Sequence, residues 1–149
     1  MSNPAQVASK SEELFRSGFR CAESVLLAIT ESKNIQSDLI PRIATGFCSG
    51  VARTGNICGA LSGGILAINL VSGRNLPKLS TDKNYDQVRS LINQFEEKFG
   101  SINCSQLLGC DLGIAEGQKK FIENNLIQRC YEYTRQAALL AVQILDDTA

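Results

Sequence analysis

Apolar residues return along this chain every three or four positions, as on a helix with one buried face, and no strand-like alternation bounded by turns is of comparable strength. Val7, Leu14 and Phe15 give Pro4 to about Ser17 a helical stripe. Gly18 then interrupts it, since glycine costs about 1 kcal/mol relative to alanine inside a helix. CAESVLLAITESKN is a second helical run, followed by a loop around Ile35 to Pro41, because Pro41 disfavours helix in the residue before it. A short helix, RIATGFCSG, leads into a glycine-rich segment. Residues 57 to 71, ICGALSGGILAINLV, read as a buried helix closed by Ser72 and Gly73, with the polar RNLPKLSTDKN beyond. Tyr85, Val88, Leu91, Ile92, Phe95 and Phe99 then share one face of a helix that Gly100 stops. SINCSQLLG reads as a short helix capped by Ser101 or Asn103, and Gly113 to Gly117 as a turn. KKFIENNLIQRCYEYTRQAALLAVQIL reads as one long amphipathic helix with Ile127, Cys130, Thr134, Ala138, Ala141 and Leu145 inside, which puts Cys130 mid-helix. The pattern predicts an all-α, single-domain bundle of about five to seven helices over the whole chain.

At 149 residues the chain fits one core. Its 15 basic and 15 acidic residues balance, so the positive footprint expected of a nucleic-acid or anionic-membrane binder is missing. The N-terminal MSNPAQVASKSEELF has no basic segment followed by an apolar run, so a cytoplasmic protein is expected. The apolar run at 57–71 is shorter than the roughly 20 residues needed to cross a bilayer, so membrane insertion is not expected.

Six cysteines and no histidine narrow the chemistry. Without histidine there is no Cys-His nucleophile, no His-containing zinc site and no C-x-x-C-H haem attachment. Successive cysteines are 27, 10, 46, 6 and 20 residues apart, so there is no C-x-x-C dithiol or paired zinc knuckle. GALSGG matches neither a nucleophile elbow nor a dinucleotide fingerprint.

One arrangement recurs: GFRCA, GNICG and GSINCS each place glycine, two or three spacers, cysteine and a small residue ahead of a helical run. Unpaired N–H groups and the positive dipole end at a helix start stabilise thiolate, and can lower a cysteine pKa from about 8.5 to roughly 3.5–7.5. Cys21, Cys58 and Cys104 are therefore candidates for reactive or ligating sulfur, against the simpler reading of cysteine as a small buried hydrophobe. Gly59, Gly63 and Ala67 form a bare strip at i, i+4 and i+8. Three glycines in that helix, Gly64 included, cost about 3 kcal/mol relative to alanine. Close packing of another helix is the favoured compensation, and a cofactor held against Gly59 and Gly63 the other. GVARTGN, with Arg53 and Gly55, suits a turn whose N–H groups face an anion at the helix start, although an ordinary glycine turn with a solvated arginine is simpler.

Cys21, the run Cys58-Gly59-Ala60-Leu61-Ser62-Gly63, Cys104 and Cys130, with RTG before the central motif and LLG-x-D-L around the third cysteine, resemble the C_GCAxxG_C_C family of redox-active proteins. The resemblance runs from about Gly18 to Cys130. It implies a small helical cytoplasmic protein in which Cys21, Cys58, Cys104 and Cys130 form a redox or cluster site. That family is similar in turn to the cysteine-bearing part of split-Soret cytochromes, which implies an iron–sulfur alternative without the haem. Cys48 and Cys110 lie outside the four-cysteine pattern, and Cys48 stands where the family tends to have glycine.

Three functions follow as expectations. The first is thiol redox chemistry, with Cys58 attacking and Cys21 or Cys104 resolving. The second is electron transfer by an iron–sulfur cluster on the four family cysteines. The third is a non-catalytic small-anion module built on GVARTGN. A redox partner not named by the sequence and a homodimer complete the picture.

Overall fold

Asn3 starts the first helix, its Oδ1 accepting from the N–H groups of Ala5 and Gln6 at 3.0 and 3.3 Å, with Pro4 in the first helical position. In this computed structural model, which describes residues 3–149, α1 (Pro4–Arg16) is followed by α2 (Cys21–Ser32), a 3-10 helix (Arg42–Phe47), α3 (Cys48–Arg53), α4 (Gly59–Ser72), α5 (Asp82–Phe99), α6 (Cys104–Leu108), α7 (Ala115–Glu123) and α8 (Ile127–Asp147). The all-α class holds. Helix number exceeds the expected five to seven, because glycine and asparagine divide segments that periodicity alone joins.

The clearest division is near the C-terminus. The Leu126 N–H donates to Phe121 O at 2.9 Å and the Asn125 N–H to Ile122 O at 3.1 Å, with Asn125 at φ 52°. This Schellman ending, with asparagine in the left-handed position that glycine usually fills, stops α7 and lets α8 begin afresh. Cys130 is therefore the fourth residue of α8, not a mid-helix residue. Gly117, expected in a turn, lies inside α7 with its Cα pressed on the Asp111 backbone. On α5 Leu91 and Phe95 are buried and Val88, Ile92 and Phe99 pack against the core as expected, while Tyr85 is 57% exposed and Gln87 is buried in its place.

Helix α4 occupies the middle, packed on α2, α5 and α8, and α8 also packs on α1 and α2. Leu26, Ile29, Leu61, Ile68, Leu91, Phe95 and Val142 fill the core. At one end Lys33 and Asp146 pair at 2.6 Å, tying the C-terminal ends of α2 and α8. Among the described residues no helix is long and apolar enough to cross a membrane.

The glycine strip explains how α4 reaches the centre. A Cβ on Gly63 would stand 2.5 Å from the Ala22 carbonyl oxygen and 3.1 Å from the Ala22 Cα, so the α2 backbone lies directly on α4. Gly63→Ala should gain about 1 kcal/mol in helix propensity and lose more through overpacking of roughly 1–3 kcal/mol, giving net destabilisation in urea unfolding. A stabilised variant would show that the strip is not a packing surface.

Candidate functional site

The N-terminal ends of α2, α4, α6 and α8 meet at the other end of the bundle, and each brings a cysteine. Cys21 opens α2, Cys58 immediately precedes α4, Cys104 opens α6, and Cys130 lies at the first turn of α8. All four line one cavity of about 240 Å³, whose remaining wall is largely apolar.

Backbone pairing brings α4 and α6 together. The Cys58 N–H donates to Ile102 O and the Cys104 N–H to Asn56 O, both at 2.7 Å, across an isolated antiparallel bridge of Ile57 with Asn103. That register sets two cysteines far apart in the chain side by side. Gly55 belongs to this clamp: its φ is 77°, and its carbonyl accepts from Ser105 Oγ at 3.1 Å. On the far side the Tyr133 hydroxyl donates to Leu107 O at 3.1 Å, fastening α8 to α6.

Another part of the wall is α3, whose residues 49–53 form a left-handed turn. Ser49, Gly50, Val51, Ala52 and Arg53 have φ between 53° and 67°, a conformation costing roughly 1–2 kcal/mol for each residue with a Cβ. The expected continuous helix through RIATGFCSG is therefore a 3-10 helix followed by this turn. Thr54 Oγ1 donates to Gly50 O at 3.0 Å and Val51 O at 2.7 Å, and the Asn56 N–H also donates to Gly50 O at 3.0 Å. The turn lays backbone against sulfur: a Cβ on Gly50 would collide with Cys104 Cβ and stand 3.1 Å from its Sγ. Strained backbone held this firmly is characteristic of functional sites.

Of the glycines and arginine singled out in the sequence, Gly59 and Arg53 line the cavity, whereas Gly55 and Gly63 do not. Arg20 joins Arg53 there, and neither guanidinium is in an ion pair among the described residues.

Electrostatics reverse the expected reactivity. Burial pushes the Cys58 thiol up to about 12, outweighing the Ala60 and Leu61 N–H groups that favour its thiolate. Burial, and then neighbouring Cys110, raises Cys104 to about 11; burial, followed by Cys104 and Cys110, raises Cys130 to about 12. The helix starts do face the sulfur of Cys58, but desolvation wins. Cys48, whose Sγ donates to Ala44 O at 3.7 Å, is pushed well above the ordinary thiol range by the neighbouring Cys21 thiol and then by burial.

Cys48 and Cys110, outside the family pattern, thus belong to the same sulfur neighbourhood: Cys48 against Cys21, Cys110 within electrostatic reach of Cys104 and Cys130. A signal for Cys48 is present in the chain, since GFCSG repeats the glycine, spacer, cysteine, small-residue order with a single spacer.

Four helix starts delivering four cysteines to one cavity define a helical cysteine-cluster protein. The sequence profile of the family described as "Putative redox-active protein (C_GCAxxG_C_C)" matches residues 19–144, and the chain belongs to that family. A protein of Archaeoglobus fulgidus described as "Uncharacterized protein" is 29% identical over 144 residues, spanning 90% of this chain and 94% of its own. No solved structure matches.

With its pKa near 12, Cys58 of the reduced, metal-free protein should react with iodoacetamide at pH 8 roughly a thousandfold more slowly than an unfolded thiol. Unfolded thiols ionise from about pH 8.5 while these keep their protons to about 11–12, so above pH 8.5 the unfolded chain binds fewer protons. Stability of the metal-free fold is thus complete below pH 8.5 and falls as pH rises, which urea midpoints at pH 8 and 10 measure; a higher midpoint at pH 10 contradicts the burial.

Proposed function

We propose that this protein is an electron carrier whose Cys21, Cys58, Cys104 and Cys130 hold an iron–sulfur cluster in the cavity between the four helix starts. The observation that carries the reading is the placement of the sulfurs around a void. All four border it, although among the described residues no three Cys, Asp or Glu side chains form a group that could hold a metal ion.

The donor set fits such a group, since four thiolates with no histidine are the usual ligands of these clusters, which supply reversible one-electron transfer. The chain's own contribution is legible. The N–H groups of Ala60 and Leu61 hold the Cys58 sulfur in place and favour its negative form. Helix starts and the unpaired Arg20 and Arg53 set positive charge beside an anionic centre. The largely apolar wall leaves the Cys58 and Cys104 sulfurs buried. Ligation displaces thiol protons, so the high pKa values describe the metal-free chain and are compatible with thiolates once metal is bound.

This reading moves ahead of Cys58 as an attacking nucleophile because a buried, protonated thiol reacts slowly. A small-anion pocket accounts for the arginines but leaves four converging sulfurs without a role. Anaerobic purification followed by a visible spectrum and iron and sulfide analysis tests the proposal. Stoichiometric iron and sulfide is expected, lost in Cys104→Ser and retained in Cys110→Ser. A colourless, metal-free protein that takes up no cluster on anaerobic reconstitution contradicts it.

A further inference from the structure

Cys48 has no place in the four-cysteine pattern and its Sγ donates to Ala44 O at 3.7 Å, yet Cys21 is the thiol that acts on it most strongly. The backbone supports the same juxtaposition: a Cβ on Gly59 would strike the Cys21 sulfur and come within 3.1 Å of the Cys48 Cα. The two cysteines open onto different spaces. Half-buried Cys21 borders the central cavity, while buried Cys48 borders a separate surface pocket with Glu23, Thr45 and Ala52. Arg20, Ser49 and Arg53 line both spaces, so the sulfur pair lies in the wall between cavity and surface.

We propose that Cys21 and Cys48 form a peroxide-oxidisable dithiol that closes to a disulfide. The Cys21 sulfur attacks one oxygen of hydrogen peroxide; an S–O bond forms, the O–O bond breaks, and the other oxygen leaves as water with the thiol proton. The Cys48 sulfur then attacks the Cys21 sulfenic acid; an S–S bond forms, the S–O bond breaks, and hydroxide leaves with the Cys48 proton as a second water. The two sulfurs lose two electrons and the two peroxide oxygens gain them. A small dithiol reverses the change by exchange, becoming a disulfide while Cys21 and Cys48 regain their protons.

The cavity of about 240 Å³ has room for hydrogen peroxide, a molecule little larger than water. Position selects the resolving sulfur. Cys48 is the thiol beside Cys21, since a Cβ on Gly59 would meet both the Cys21 sulfur and the Cys48 backbone. The disulfide itself needs no cluster. Its consequence rests on the cluster reading: with Cys21 engaged, three of the four family thiols remain.

The test treats reduced, metal-free protein anaerobically with equimolar hydrogen peroxide and maps tryptic peptides by mass spectrometry. The expected product joins residues 21–33 to residues 43–53, two hydrogens lighter than the separate peptides and separated again by dithiothreitol. In Cys48→Ser the link is absent and dimedone captures sulfenic acid on Cys21. A product joining Cys21 to Cys58 or Cys104, or unmodified Cys48 after Cys21 is consumed, overturns the proposal. In a parallel arm, the iron content of anaerobically purified Cys48→Ser is expected to equal that of wild type. Iron lost selectively on this substitution would make Cys48 a ligand and overturn the dithiol assignment. Absence of iron from wild type and variant alike would sink the cluster reading alone and leave the peptide map to decide the disulfide.

Discussion

Helix α4 can lie against the start of α2 because Gly59 and Gly63 present no side chain to it, and the sulfur geometry follows from that contact. With the Ala22 carbonyl against Gly63 and the Cys21 sulfur against Gly59, the first turn of α2 is fixed beside the residue that precedes α4. That residue is Cys58. The backbone bridge from Ile57 to Asn103 then adds Cys104, and the Tyr133 hydroxyl on Leu107 O draws in the start of α8 with Cys130. The roughly 3 kcal/mol by which three glycines weaken an isolated helix is offset by this close packing.

Convergence of helix starts and exclusion of water act on the same sulfurs in opposite directions. N–H groups and dipoles favour thiolate, while burial disfavours any charge that lacks a partner. In the metal-free chain burial outweighs the Ala60 and Leu61 N–H groups at Cys58, and burial with neighbouring thiols raises Cys104 and Cys130. The balance changes when a cation takes the place of the protons, since each orienting N–H group then stabilises a ligand in place of opposing desolvation. In the metal-free protein the protonated thiols of Cys58, Cys104 and Cys130 are slow nucleophiles. Cys21, beside Cys48 in the wall toward the surface, is half-buried, where Cys58 and Cys104 are buried.

Much of this was legible in the chain. Three-and-four spacing yields the all-α class, the bare i, i+4, i+8 strip predicts helix packing at Gly63, and Gly100 stops α5 at φ 83°. Placement of Cys58 and Cys104 at helix starts follows from glycine and small-residue flanks. Three features needed tertiary information. Asn125 in a left-handed ending is a local event that periodicity averages away, and missing it puts Cys130 mid-helix. The left-handed turn at 49–53 runs against the intrinsic preference of Val51 and Ala52, so only the surrounding bonds to Thr54 and Asn56 make it visible. Desolvation of the thiols depends on what covers them, which spacing does not encode.

The central claim, that four sulfurs distant in sequence surround one cavity able to hold a redox centre, is tested most directly by an anaerobic crystal structure with anomalous data at the iron edge. The account predicts one iron feature inside the cavity, bordered by Cys21, Cys58, Cys104 and Cys130. Iron bound elsewhere, or these four sulfurs dispersed into separate apolar regions, would contradict it.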